Sequence, residues 1–120
     1  MDYGRKITGG KYHKQRKKRL HERKNPTRQS SLGETKLKTL RVKGGILKTI
    51  VLKSNIANLI IDGKAKKAQI INVEETPQNR FLARENRLVK GAIIETPEGK
   101  ARITNRPTQE GQVNAVLIEK

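Results

Sequence analysis

Ile, Val and Leu recur from Lys36 onward in short runs broken by turn residues, the rhythm of an all-β barrel or sandwich. Residues 37–42 run to the glycine pair Gly44-Gly45, which reads as a hairpin turn into residues 46–52, where Ile46, Ile50 and Leu52 share a face with Lys48 between them. Residues 56–62 close at Gly63, and residues 65–75 close at Thr76-Pro77, with Ile71 and Val73 on the face opposite Ile70. Residues 78–87 lack a two-residue period and read as a short helical turn or a loop. Residues 88–95 lead into Thr96-Pro97-Glu98-Gly99, whose proline at the second position and glycine at the fourth suit a type I turn. Residues 100–104 alternate with Ala101 and Ile103 inward, and residues 112–119 place Val113, Ala115 and Leu117 on one face. The pattern predicts six or seven short strands joined mostly by hairpins. The expected fold is a small, mostly antiparallel β-barrel, because closure removes the edges of the sheet.

The N-terminal part has a different texture. Residues 1–36 hold six hydrophobic residues against thirty-three in the remaining 84, so the capacity for a core is almost wholly C-terminal. Residues 12–24 are good helix formers, but only Tyr12 and Leu20 could hold such a helix down. Like charges at i, i+4 oppose it, so this stretch is expected to be disordered when free and ordered when bound. Asn25-Pro26 ends any helix that forms, and Ser30, Ser31 and Gly33 read as a linker. The expected organisation is an intrinsically disordered basic arm, residues 1–35, followed by a barrel domain, residues 36–120.

Charge sharpens this division. The chain of 120 residues carries 28 Lys and Arg against 11 Asp and Glu, a formal net charge of +17. Residues 1–45 hold net +12 and residues 46–120 net +5. Such a surplus favours polyanions: nucleic acid first, and an anionic membrane far behind it, since no long amphipathic helix is evident. Neither a secretory apolar region nor an apolar run near 18 residues is present, which points to the cytosol or nucleus and to no membrane partner. Cysteine is absent, which excludes disulfides, thiolate zinc sites and cysteine nucleophiles.

No catalytic constellation emerges. Glu74 and Glu75 are strand neighbours and face opposite sides. His13 and His21 lack the i, i+4 spacing of a metal pair. The pairs Gly9-Gly10 and Gly44-Gly45 fit neither phosphate-loop nor dinucleotide fingerprints, and Ser30, Ser31 and Ser54 lack a nucleophile-elbow context. The chain therefore reads as a binding protein without metal, cofactor or small-molecule substrate. A charge run is usually a solvated face, but net +9 over residues 1–28 repels itself unless a polyanion neutralises it. With two Tyr and one Phe in the chain, an aromatic stacking platform is poorly supported. No helix-turn-helix, zinc finger or basic zipper is visible. The best remaining target is folded RNA, recognised by backbone and shape. A small basic barrel coating duplex DNA is the second reading, and an RNA-processing enzyme a third.

Four separated segments go further: RKITGG (Arg5 to Gly10) with the basic run behind it, LRVKGG (Leu40 to Gly45), LVKGAIIET (Leu88 to Thr96) and RPTQEGQVNAVL (Arg106 to Leu117). In order and spacing they resemble the archaeal and eukaryotic small-subunit ribosomal protein eight family, in its compact archaeal form. The resemblance implies a structural constituent of the small ribosomal subunit. It implies a monomer within the particle, bound to the subunit's large ribosomal RNA and beside other small-subunit proteins. Carried over by position, Arg5, Lys6, Thr8, Gly9, Gly10, Lys11, Lys14, Arg16, Lys17, Lys18, Arg19, Arg23 and Lys24 would meet phosphates, with His13 and Arg28 in the same tract. Gly9-Gly10 would let backbone approach RNA closely. On the barrel the expected contacts are Arg41, Lys43, Lys48 and Lys53, followed by Arg102 and Arg106. Ile46 and Thr108 depart from the family pattern, where Asn and Gly are frequent.

Overall fold

The structure, a computed structural model, describes residues 4–119, so the first three residues of the expected arm and Lys120 lie outside the described residues. Its described strands are β1 (Ser30–Leu32), β2 (Lys36–Arg41), β3 (Leu47–Ser54), β4 (Ile56–Ile61) and β5 (Lys64–Gln69), followed by β6 (Asn72–Glu75), β7 (Arg87–Leu88), β8 (Ile93–Thr96), β9 (Gly99–Ile103) and β10 (Asn114–Glu119). One short helix, α1 (Arg80–Arg84), interrupts them. The chain is mostly β, as its pattern predicts, with ten strands in place of six or seven. The excess over seven arises because two expected strands are each divided and one more, β1, forms ahead of the expected domain. Residues 65–75 break into β5 and β6 at the corner Ile70-Ile71, and residues 88–95 break at Gly91, whose φ of +84° no extended strand accommodates.

Local chemistry fixes the connections. Asp62-Gly63 joins β4 to β5 through φ values of +48° and +79°, and Ile61 pairs with Lys64, so the loop is the two-residue hairpin that Asp-Gly favours. The turn between β8 and β9 pairs Thr96 with Gly99, and the Thr96 hydroxyl donates to the Gly99 carbonyl at 2.7 Å. Asn79 caps α1 by accepting from the Phe81 amide at 3.0 Å.

Six of the eight strand pairings are antiparallel; β1 with β3 and β4 with β10 are parallel. They form a four-stranded sheet in the order β2-β3-β1-β7 and a six-stranded sheet in the order β5-β4-β10-β9-β8-β6. The expected closed barrel is therefore corrected to two sheets, the larger of which curls without closing. Its terminal strands β5 and β6 are consecutive in the chain, which forces the two edges to approach at Ile70-Ile71. Closure fails there for a physical reason. The Ile70 amide donates to the carbonyl of Asn55, the residue between β3 and β4, at 2.8 Å and the Ile71 amide to the Glu95 carbonyl of β8 at 2.9 Å, so the corner spends its donors elsewhere and no ladder joins β5 to β6. The corner also resets the alternation: Ile70 and Val73 are buried and Ile71 is exposed, whereas a straight strand would put Ile71 with Val73.

The core lies inside this curl. Leu59, Ile70, Val73, Leu88, Ile94, Ile103 and Val113 pack there with five alanines, Ala57, Ala68, Ala92, Ala101 and Ala115. Small residues between large ones suit a tightly curved sheet. The expected inward faces of β9 and β10 are as observed, with Ala101, Ile103, Val113 and Ala115 buried and Leu117 packed against them.

The linker reading of Ser30, Ser31 and Gly33 is corrected. Ser30 is fully buried within β1, its hydroxyl donating to the Val51 carbonyl at 2.6 Å, and β1 lies between β3 and β7. A small polar residue reads as a loop until its hydroxyl finds a backbone acceptor inside a sheet. Ser30 thus begins the folded body. Before it, every described residue from 4 to 29 is exposed. The Cα radius of gyration is 21.5 Å, against about 14 Å for a compact chain of this length, and the principal extents are 70 × 35 × 25 Å.

Candidate nucleic-acid interface

Order within the arm is local. Arg5 bridges Lys11, the Lys6 amide donates to the Gly10 carbonyl at 2.7 Å, and the Gly9 amide donates to the Lys6 carbonyl at 2.9 Å, closing a small loop over Thr8. Gly9 takes φ +82° with open space where a Cβ would stand, so the backbone turn, and not crowding, calls for glycine. Lys6 Nζ lies 5.7 Å from the centre of the Tyr12 ring, a cation–π contact. The helix-forming stretch does not become a helix: it has no regular structure except for one 3-10 turn at Leu20–Glu22, flanked by extended Arg19 and Arg23. Arg16 grips Glu22 through two hydrogen bonds of 2.6 and 2.8 Å, and the Arg19 amide donates to the same carboxylate at 2.9 Å. The Arg16 hydrogen bonds, then that of the Arg19 amide, hold the Glu22 carboxyl below its ordinary range, and the bonds to Glu22 raise the Arg16 guanidinium.

Glu22 is the one acid among residues 4–29, which carry eleven Lys and Arg. Arg5 reaches the Gly9 carbonyl at 3.3 Å and Arg23 the Lys18 carbonyl at 3.2 Å. Among the described residues, the side chains of Lys11, Lys14, Lys17, Lys18, Arg19, Lys24 and Arg28 have no ion-pair partner. His13 is exposed, and His21 lies 3.9 Å from Glu22.

A second concentration of charge sits on the β2–β3 hairpin. Residues 36–53 contain six Lys and Arg and no acid. Lys36 and Lys53 are direct cross-strand partners, an arrangement that repels. The outer half of the hairpin projects from the body, with Ile46 66% and Leu47 68% exposed at its tip. Its turn uses Gly44 and Gly45 at φ +78° and +74°, and Arg41 folds towards them, 3.6 Å from where a Gly45 Cβ would stand. Ile46 therefore stands outside the strand in solvent, not on the shared inward face expected of it, whereas Ile50 is buried as expected.

The structure separates some of the expected contacts. Leu40 pairs with Lys48 and Arg41 with Leu47, so Arg41 and Lys48 lie on opposite faces of the ribbon, while Lys43 occupies the turn. Lys48 is half-buried and donates to Gln109, part of a clamp by which the β9–β10 loop holds the hairpin. The Val51 amide donates to the Pro107 carbonyl at 3.0 Å in the same clamp. Arg102 is exposed on the larger sheet, in register with Ile93 and Val116, and Arg106 is exposed on the clamping loop. Sequence reasoning missed Lys36 and Lys38, whose alternation with Leu37 on an acid-free strand was a usable signal. It also missed Phe81, half-exposed between Arg80 and Arg84, whose guanidinium carbons lie 5.4 and 5.6 Å from the ring centre. Three of the body's acids are engaged elsewhere: Glu98 with Lys66, Glu74 with Lys100 at 2.7 Å and Glu85 with Arg87 at 3.0 Å.

No group of three or more metal-ligating side chains occurs among the described residues, and no helix there is long and apolar enough to cross a membrane. The family model for ribosomal protein S8e matches residues 2–118. The chain belongs to the ribosomal protein S8e family. Its relatives include the small ribosomal subunit protein eS8 of Haloarcula marismortui, 44% identical over 96% of this chain and 94% of the relative. The eS8 proteins of Sulfurisphaera tokodaii and Nanoarchaeum equitans are 43% and 41% identical, each over 96% of this chain and 92% of the relative. The resemblance drawn from four short segments thus extends over nearly the whole sequence, and the family is one of structural, non-enzymatic proteins.

Proposed function

We propose that this protein is a cytoplasmic structural constituent of the small ribosomal subunit, bound to its large ribosomal RNA by backbone and shape, and a monomer beside other small-subunit proteins. The observation that carries the reading is segregation of charge: apart from Arg16, which holds Glu22, the Lys and Arg side chains of the arm and hairpin have no ion-pair partner among the described residues, while on the larger sheet Glu98 and Glu74 pair with Lys66 and Lys100. Phosphates relieve the repulsion between Lys36 and Lys53 and along residues 14–19. The arm, from Arg5 to Arg28, supplies most of the affinity and becomes ordered on RNA; its exposed, locally bonded backbone supports this. Arg41, Lys43, Lys53 and the newly recognised Lys36 and Lys38 extend the contact along the hairpin. Lys48 serves more as a strut to Gln109 than as a free phosphate ligand.

The test is co-sedimentation with small subunits. The protein should travel with them at moderate salt and strip off at high salt, since neutralising 6 to 10 phosphates lowers affinity about 10³- to 10⁵-fold between 50 and 200 mM. A competition with generic duplex DNA accompanies it. Equal affinity for duplex and for small-subunit ribosomal RNA would favour a duplex-coating protein instead.

A further inference from the structure

Where the arm joins the body, a cleft of about 250 Å³ opens between α1, the segment after β7 and the β9–β10 loop. Its floor is apolar: Leu88 and Pro107 are buried, and Leu82 and Val89 are half-buried beside them. Its rim carries Arg28 from the arm, Lys90 and Arg106, all exposed, and no acidic residue lines it. None of these three side chains has an ion-pair partner among the described residues. The shape is held from beneath. Gln78 donates to the Lys90 carbonyl at 2.5 Å, and Gly91, at φ +84°, leaves room for that amide where a Cβ would come within 3.2 Å.

An apolar floor ringed by three uncompensated cations suits a ligand that is flat and apolar on its faces and anionic at its edge. A hydrophobic protein side chain would fill the floor and leave the cations unanswered; a bare phosphate would answer the cations and leave the floor wet. A nucleotide satisfies both, and a splayed-out base finds guanidinium planes as well as apolar surface here. We propose that this cleft captures a single unstacked base of the RNA, with the adjoining phosphates held by Arg28, Lys90 and Arg106. This rests on the RNA-binding reading above and adds a fixed register to a grip that is otherwise sequence-blind.

The experiment uses the full chain with labelled Leu and Val methyls, titrated with adenosine 5′-monophosphate and, separately, with ribose 5-phosphate. The methyl resonances of Leu82, Leu88 and Val89 should move with the nucleotide and not with the base-free sugar phosphate. Equal response to both, or no response in the cleft, overturns the proposal and leaves a phosphate site or a protein contact. On small-subunit ribosomal RNA, Leu82→Ala should lower affinity about 3- to 10-fold with the salt slope unchanged, whereas Lys90→Glu should lower the slope by about 1. Native affinity in Leu82→Ala overturns it too. Failure of the native chain to prefer ribosomal RNA over duplex DNA would instead count against the wider reading, and the mononucleotide titration separates the two.

Discussion

At the scale of single residues, two positions hold local geometry that can be tested directly. The lowered carboxyl of Glu22 means that the stabilisation it gives the Leu20–Glu22 turn is fully present above the ordinary carboxylate range. It is lost as pH falls through the depressed folded-state value, when the Arg16 and Arg19 bonds lose their charged acceptor. The Arg19 amide resonance should therefore move towards its random-coil position on acidification below the usual carboxylate range, while amides of the larger sheet stay put. Gly91 is the second. A side chain there meets both the left-handed backbone and the Gln78 amide, so Gly91→Ala should cost about 1–2 kcal/mol in urea unfolding. Neither position was readable beforehand. Gly91 looked like one residue within a strand, and a positive φ is a property of the folded chain that composition does not carry. Ser30 teaches the same lesson from the other side: its hydroxyl is a loop signal until the Val51 carbonyl accepts from it.

At the scale of elements, the β2–β3 hairpin separates stability from binding. Lys36→Glu places opposite charges across the ladder at Lys53, which should stabilise the fold by about 0.2–1 kcal/mol. The same change removes a cation and adds an anion on the surface proposed to meet phosphate, so RNA affinity should fall. Thermal melts and RNA titrations on one variant would then move in opposite directions; parallel movement would show that Lys36 is only a structural residue. Hairpins of this kind were legible because their turns are local: Asp62-Gly63, Pro97-Glu98 and Gly44-Gly45 announce themselves in sequence, and strands near them were placed within a residue or two. What stayed hidden was non-local. The parallel pairings of β1 with β3 and β4 with β10 join segments distant in sequence, and no periodicity encodes which distant strand lies alongside.

For the whole molecule, the structure sets an exposed cationic tract against a body whose core lies wholly beyond it. The arm makes no hydrogen bond to residues beyond 29 among the described residues, and the core draws nothing from it. Deleting residues 1–28 should leave the sheet signal in circular dichroism intact while binding to the small subunit collapses. Ile103→Ala, by contrast, opens a cavity in the centre of the curl and should cost about 2–5 kcal/mol without altering the charge of the arm or hairpin. The concentration of charge was legible in outline because charge is additive along a chain, so counting Lys and Arg over residues 1–45 located it. Its finer division was not: whether Lys48 is a free cation or a strut depends on Gln109, sixty-one positions away.

The Tyr12 ring beneath Lys6 has a practical corollary. The chain holds no Trp and two Tyr, at positions 3 and 12, while the core is built from aliphatic side chains alone. Tyrosine emission therefore originates entirely ahead of the folded body, where the single Phe81 adds only weak emission at shorter wavelength. A fluorescence-monitored heating curve would be blind to melting of the sheets, and its disagreement with an ellipticity curve would signal where the chromophores sit, not a folding intermediate. The same optical asymmetry makes the unlabelled protein a ready sensor for the moment its N-terminal segment is engaged.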